Sequence, residues 1–299
     1  MMLVRPFLVN DAALSASNIP ETDHTAWAVG TTYGLGARVR VVGANVHKVY
    51  ESLQAGNVGR TPATSPTWWL DVGATNRWKM FDEAINSQSV NPNTIDLTFA
   101  TTDRIDTVAL LNVAGLSVRI IMTDAIDGVV YDKTTTLISD SGVTDWYSYF
   151  YEPIARKTDF VALDLPPYYS ATVRVIVSDP GYNVAIGALL LGFKKVLGGT
   201  QYGAKVGIQD YSVKKRDDFG NYTILERAYN NNASFTFWVV AGNVDYFKAM
   251  LASYRATAIL YVGTEEYSSS VIYGFYKDFS VTIAYPTESL CTLELEGLT

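Results

Sequence analysis

The chain has 299 residues, 48% hydrophobic and 18% charged, with a formal net charge of −7 and a pI near 4.9. That composition is globular and long enough for two or three domains. The acidic balance argues against nucleic acid and anionic lipid as main partners, and the single cysteine, Cys291, excludes an internal disulfide.

In chain order, residues 1–20 read as an N-terminal arm. Its apolar run MMLVRPFLV is broken by Arg5 and Pro6, and it lacks the long apolar stretch of a secretory signal, so synthesis in the cytoplasm is expected. Residues 2–9 have strand character and are expected to pair elsewhere. Residues 21–82 then hold four of the six tryptophans: Trp27, Trp68, Trp69 and Trp78. Turn-like stretches at 20–23 and 73–75 mark 21–74 as a small aromatic β module with its own core.

From 75 to 196 short Val/Ile/Thr/Tyr-rich runs recur between turn signals. They are 105–122 (two strands around an Asn/Gly break), 129–137, 160–165 and 171–178. Such spacing predicts a β-sandwich of jelly-roll type. Pro166-Pro167 and Pro180-Gly181 read as loop punctuation. The apolar run 184–193 is half the length needed to span a bilayer, so no membrane insertion is expected. The Gly-rich stretch 196–205 is the expected boundary before a C-terminal α+β unit, 197–299.

In that unit the spacing of Val244, Phe247, Met250, Leu251 and Tyr254 predicts one helix over 243–255. Asn243 is its expected N-cap, Asp245 lies in the first turn, and Arg255 sits where the dipole favours a cation. Strands follow at 256–263, 270–285 and 289–298. In the last of these Cys291 alternates with polar residues, as a small buried hydrophobe does. The fold class expected is mainly β, with one helix.

Catalytic chemistry is hard to place. The two histidines, His24 and His47, lie in the small module with no cysteine near them, which is too few ligands for a zinc site. No GxSxG elbow, phosphate loop or GxGxxG is present. The pairs Asp217-Asp218 and Glu265-Glu266 would point to opposite faces of a strand, so they read as turn or surface residues. No enzyme activity and no cofactor or metal are expected. Lys214-Lys215-Arg216 reads as a hairpin tip, and it would suit a salt bridge between subunits.

Ala26-Trp27, Gly30, Tyr33, Gly36, Val39, Gly43, Tyr50, Pro62, Trp68-Trp69 and Gly73 resemble the small chitin-binding module of bacterial chitinases (carbohydrate-binding module families 5 and 12). In that family exposed aromatics stack on sugar rings, which makes Trp27, Tyr33, Tyr50, Trp68 and Trp69 candidate glycan-stacking residues. The same rings could instead form the core of a module too small to fold on aliphatics alone, and that is the favoured reading.

The junction Thr75-Asn76-Arg77-Trp78-Lys79-Met80-Phe81-Asp82 and the stretches 200–229 and 271–298 resemble tail proteins of bacteriophages and prophages, of distal-tail or baseplate type. Residues 76–193 resemble galactose-binding-like sandwiches, which in such particles often serve packing alone. These resemblances imply a structural tail component in the virion. It would form a symmetric ring with itself through 197–299 and would contact other tail proteins. The alternative they imply is a receptor-binding protein that grips host cell-surface polysaccharide through 21–74.

Overall fold

The structure is a computed structural model, and it describes residues 1–139, 143–216, 218–283 and 285–298. Asp217, one half of an expected carboxylate pair, lies outside them. The fold is mainly β, with large antiparallel sheets. Two compact units are present: residues 8–191, and residues 192–299 together with 1–7. Among the described residues no helix is long and apolar enough to cross a membrane.

In the unit 8–191 the central element is the first part of the strand Thr172–Val196. Residues 172–178 pair on one side with Ser117–Asp124 and on the other with Ser89–Ala100. Gly128–Thr136 extends the first side and Leu14–Ser17 the second. Thr107–Ala114 joins the same assembly and pairs with Phe160–Ala162. All these pairs are antiparallel, consistent with a β-sandwich.

Alternation explains the burial. Val173, Val175 and Val177 are buried, while Thr172 and Arg174 at alternate positions are exposed. They pack with Leu97, Phe99, Ile120 and Met122, which are also buried. From Val184 to Leu191 both faces are covered, so the long apolar run is an interior strand. Pro180-Gly181 does not end the strand. It interrupts the register between Ser178 and Asn183, where Gly181 (φ 86°) donates its N–H to Asn93 Oδ1 at 2.8 Å. The irregularity is a bulge rather than a loop, because the opposing strand supplies a partner for the freed amide.

The main sheet of the second unit is antiparallel. Its order is residues 192–196, Met2–Pro6, Ile259–Val262, Val271–Thr282, Glu288–Gly297, Tyr229–Val240 and Lys205–Asp210. The N-terminal arm thus supplies a strand to this sheet. Among the described residues there are two α-helices, α1 (Trp146–Tyr151) and α2 (Val244–Ser253). α2 buries Phe247, Met250 and Leu251 in a core with Phe235, Phe237, Tyr261, Cys291 and Leu293. Each such side chain contributes about 1.5–3 kcal/mol by leaving water.

Asn243 stands at the N-cap of α2 but makes no side-chain capping bond, because a 3-10 turn at Ala241–Asn243 leads into the helix. Arg255 falls beyond its last turn. Burial pushes the Cys291 thiol up to about 11, so it stays protonated at neutral pH.

Candidate functional site

The module is a four-stranded sheet of Thr25–Ala26, Arg38–Gly43, Val46–Ser52 and Trp69–Ala74. The two middle strands form a hairpin in which Gly43 faces Val46 across a two-residue turn at Ala44-Asn45. Asn45 there adopts φ 55°, which asparagine tolerates better than most residues. Tyr33, Val39, Tyr50 and Trp69 form the core.

Three of the five candidate stacking residues therefore do not present their faces. Tyr33 and Tyr50 are 8% exposed and Trp69 is 2% exposed. Tyr33 meets Trp69 edge-on, with ring centres 5.2 Å apart. The polar atoms are also spent internally: Trp69 Nε1 donates to the Arg60 carbonyl at 2.8 Å, and the Ala28 N–H donates to the Tyr33 hydroxyl at 2.8 Å. A sheet this small has few aliphatics, so the aromatics become its interior. Trp27 and Trp68 pack against this core and stay half-buried. The Arg60 guanidinium sits 5.3 Å from the centre of the Trp68 ring and covers part of it.

His47, on the second hairpin strand, sits in a polar joint. Its Nδ1 lies 2.8 Å from Glu21 Oε1 and its Nε2 lies 2.6 Å from Asp11 Oδ1. The ring stacks on Trp78 at 4.1 Å with planes 15° apart. Thr75 Oγ1 donates to Glu21 Oε1 at 2.6 Å, and Arg77 Nη1 lies 3.7 Å from Glu21 Oε2. The Asn45 N–H donates to Asp11 Oδ2 at 2.8 Å. That bond, ahead of His47, holds the Asp11 carboxyl below the usual range. Trp78 continues edge-on to Phe81, and Phe81 to Phe99 in the sandwich.

This is a joint, with the polar groups of the module engaged by the arm and by the junction 75–78. The His24 carbonyl accepts from the Arg40 guanidinium. Among the described residues no group of three or more His, Cys, Asp or Glu could hold a metal ion. Glu265 and Glu266 are exposed.

A further open aromatic surface lies on α1, and the sequence reading passed over it. Five of its six residues are aromatic, and all five are 64–78% exposed. The signal was the composition itself, Trp-Tyr-Ser-Tyr-Phe-Tyr, denser in aromatics than any stretch of the module.

On the second unit Lys205–Asp210 is the last strand of the sheet and is exposed at all six positions. Beyond it the hairpin Val213–Arg216 with Tyr222–Leu225 carries exposed Phe219, Tyr222, Ile224 and Leu225. Lys214 reaches Asp210 at 3.3 Å, and Arg216 lies over Tyr222 at 5.6 Å.

No family model matches this chain, and no curated protein matches it.

Proposed function

We propose that the protein is a non-enzymatic structural component of a phage tail, of distal-tail or baseplate type, that assembles with itself in a symmetric ring through residues 197–299. The observation that carries this reading is the edge strand Lys205–Asp210. Among the described residues no strand lies against its outer side, which offers a row of backbone donors and acceptors next to exposed Val206 and Ile208. The neighbouring hairpin adds exposed Phe219, Tyr222, Ile224 and Leu225. Apolar surface collected on one edge marks a contact to be covered by another chain. A heterologous contact of this kind closes into a ring when its rotation permits.

The test is the mass of the purified chain by native mass spectrometry. A closed oligomer is expected, and Ile208→Lys, which places a charge on the edge, should return it to monomer. A wild-type chain that stays monomeric at tens of micromolar, or that is missing from purified virions, would overturn the reading.

The second reading, adsorption to host polysaccharide through 21–74, keeps only Trp27 and Trp68 as partly open rings. Ring assembly and adsorption are compatible, since a ring can carry peripheral adhesive surfaces.

A further inference from the structure

The joint around His47 holds together through a single proton. His47 meets a carboxylate at each ring nitrogen: Glu21 Oε1 lies 2.8 Å from Nδ1, and Asp11 Oδ1 lies 2.6 Å from Nε2. An ionised carboxylate only accepts hydrogen bonds, so each of these contacts needs a proton on the ring. A neutral imidazole carries one proton, and its other nitrogen would aim a lone pair at an oxygen. Asp11 does not supply the second proton, because the Asn45 N–H, ahead of His47, holds its carboxyl below the usual range. Both contacts are satisfied together when the ring is an imidazolium.

The charges around the ring agree. The arm contributes Asp11. The segment entering the module contributes Glu21 and Asp23, and Asp23 accepts the Asn76 N–H at 3.2 Å. The junction contributes Arg77, 3.7 Å from Glu21 Oε2, while Lys79 and Asp82 follow Trp78 in the chain. On the hairpin, Lys48 is turned to the opposite face and pairs with Asp71 at 2.6 Å. The set in contact is therefore Asp11, Glu21 and Arg77, and an imidazolium brings it to neutrality. The His47 and Glu21 side chains are only 10% and 9% exposed, so little water is at hand to replace a lost contact.

The ring ties together pieces of chain that are far apart in sequence. Asp11 belongs to the arm, Glu21 to the entry of the module, and Trp78, on which the ring stacks, to its exit. The Asn45 N–H reaches the same Asp11 carboxylate from the hairpin turn.

We propose that His47 is a proton-dependent latch that holds the module 21–74 to the arm, closed while both ring nitrogens carry protons and loosened when one is given up. The direction with pH follows. As pH rises, the ring loses a proton, one contact turns repulsive and the latch loosens. As pH falls, Asp11 keeps its charge until the pH is beneath the ordinary carboxylate range, because its carboxyl is held low, and only then does the latch loosen on the acid side. Docking is tightest between these limits. The latch rests neither on ring assembly nor on sugar binding.

The experiment is hydrogen exchange of the full-length chain read by mass spectrometry from pH 5 to pH 9. Slow exchange of the imidazole C2 hydrogen follows the protonation of His47. Amide exchange in 43–52, divided by the intrinsic rate at each pH, follows docking. The amide protection should fall about tenfold over the same pH range in which the ring loses its proton. Asp11→Asn should move both midpoints toward acid by about one unit, since it removes one of the two charges that favour the imidazolium. His47→Gln should leave protection in 43–52 low and independent of pH. A ring that titrates while protection in 43–52 stays constant overturns the proposal, and so does an Asp11→Asn midpoint equal to that of wild type. Persistence of the pH response in His47→Gln would assign it to another group and overturn the proposal as well. The wild-type titration needs no variant, so it decides the matter even if a variant fails to fold. The ring reading is tested separately by Ile208→Lys.

Discussion

Two regions of this chain are rich in aromatic residues, and the fold treats them in opposite ways. In the module, Tyr33, Tyr50 and Trp69 turn inward and are at most 8% exposed. On α1, five aromatics in six residues are at least 64% exposed. The residue types are the same. The difference is what stands opposite. The module wraps four strands around its rings, and beside Val39 and Val49 those rings supply most of its buried apolar area. α1 is a single capped turn and a half that packs its serine inward, so its rings gain nothing from the fold. Aromatic density alone therefore marks a candidate; the surroundings decide whether it is core or contact surface.

The sharpest way to break this comparison is Trp69→Ala. If the ring is the keystone of the module, its removal should cost about 3–5 kcal/mol of module stability. Hydrogen exchange of the strand amides in 25–74 would read this directly, and a loss under about 1 kcal/mol would mean that the module does not rest on its aromatic core.

A smaller effect is expected at the joint. His47→Leu leaves the buried Glu21 carboxylate with Thr75 and the more distant Arg77. The loss should be about 1–3 kcal/mol, with faster exchange in Val46–Ser52 and a shift in Trp78 fluorescence. Unchanged exchange would show that the joint does not hold the module to the sandwich.

The smallest effect belongs to α1. Trp146→Ala with Phe150→Ala should change the denaturation midpoint by no more than about 0.5 kcal/mol equivalent, because neither ring is packed. A larger drop would place these rings in the core and remove the contrast.

Much of the fold could be read locally. The alternation at 171–178 and the helical spacing from Val244 to Tyr254 each state their element, because side-chain period follows backbone geometry; of the expected Asn/Gly break only Gly115 falls between strands, since Asn112 lies inside Thr107–Ala114. Element ends were less legible. The expected cap at Asn243 lies within a 3-10 turn, and Pro180-Gly181 bends a strand that continues. Both depend on hydrogen-bond partners far along the chain, such as Asn93 for the Gly181 amide.

The candidate site was the least legible part. Trp27, Tyr33, Tyr50, Trp68 and Trp69 stood out as a group, but nothing local separates the two half-open rings from the three closed ones. Asp11, Glu21, His47 and Trp78 gave no common signal, because they are scattered over the sequence and meet only when the module docks against the arm and the junction. By itself the sequence determined a mainly β chain with one amphipathic helix, an interior cysteine and a concentration of aromatic rings in 21–82. Tertiary structure alone decided which rings are core, which are open, and which strand is left as an edge. Periodicity is a property of neighbouring residues, whereas burial is a property of whatever the chain later brings to face them.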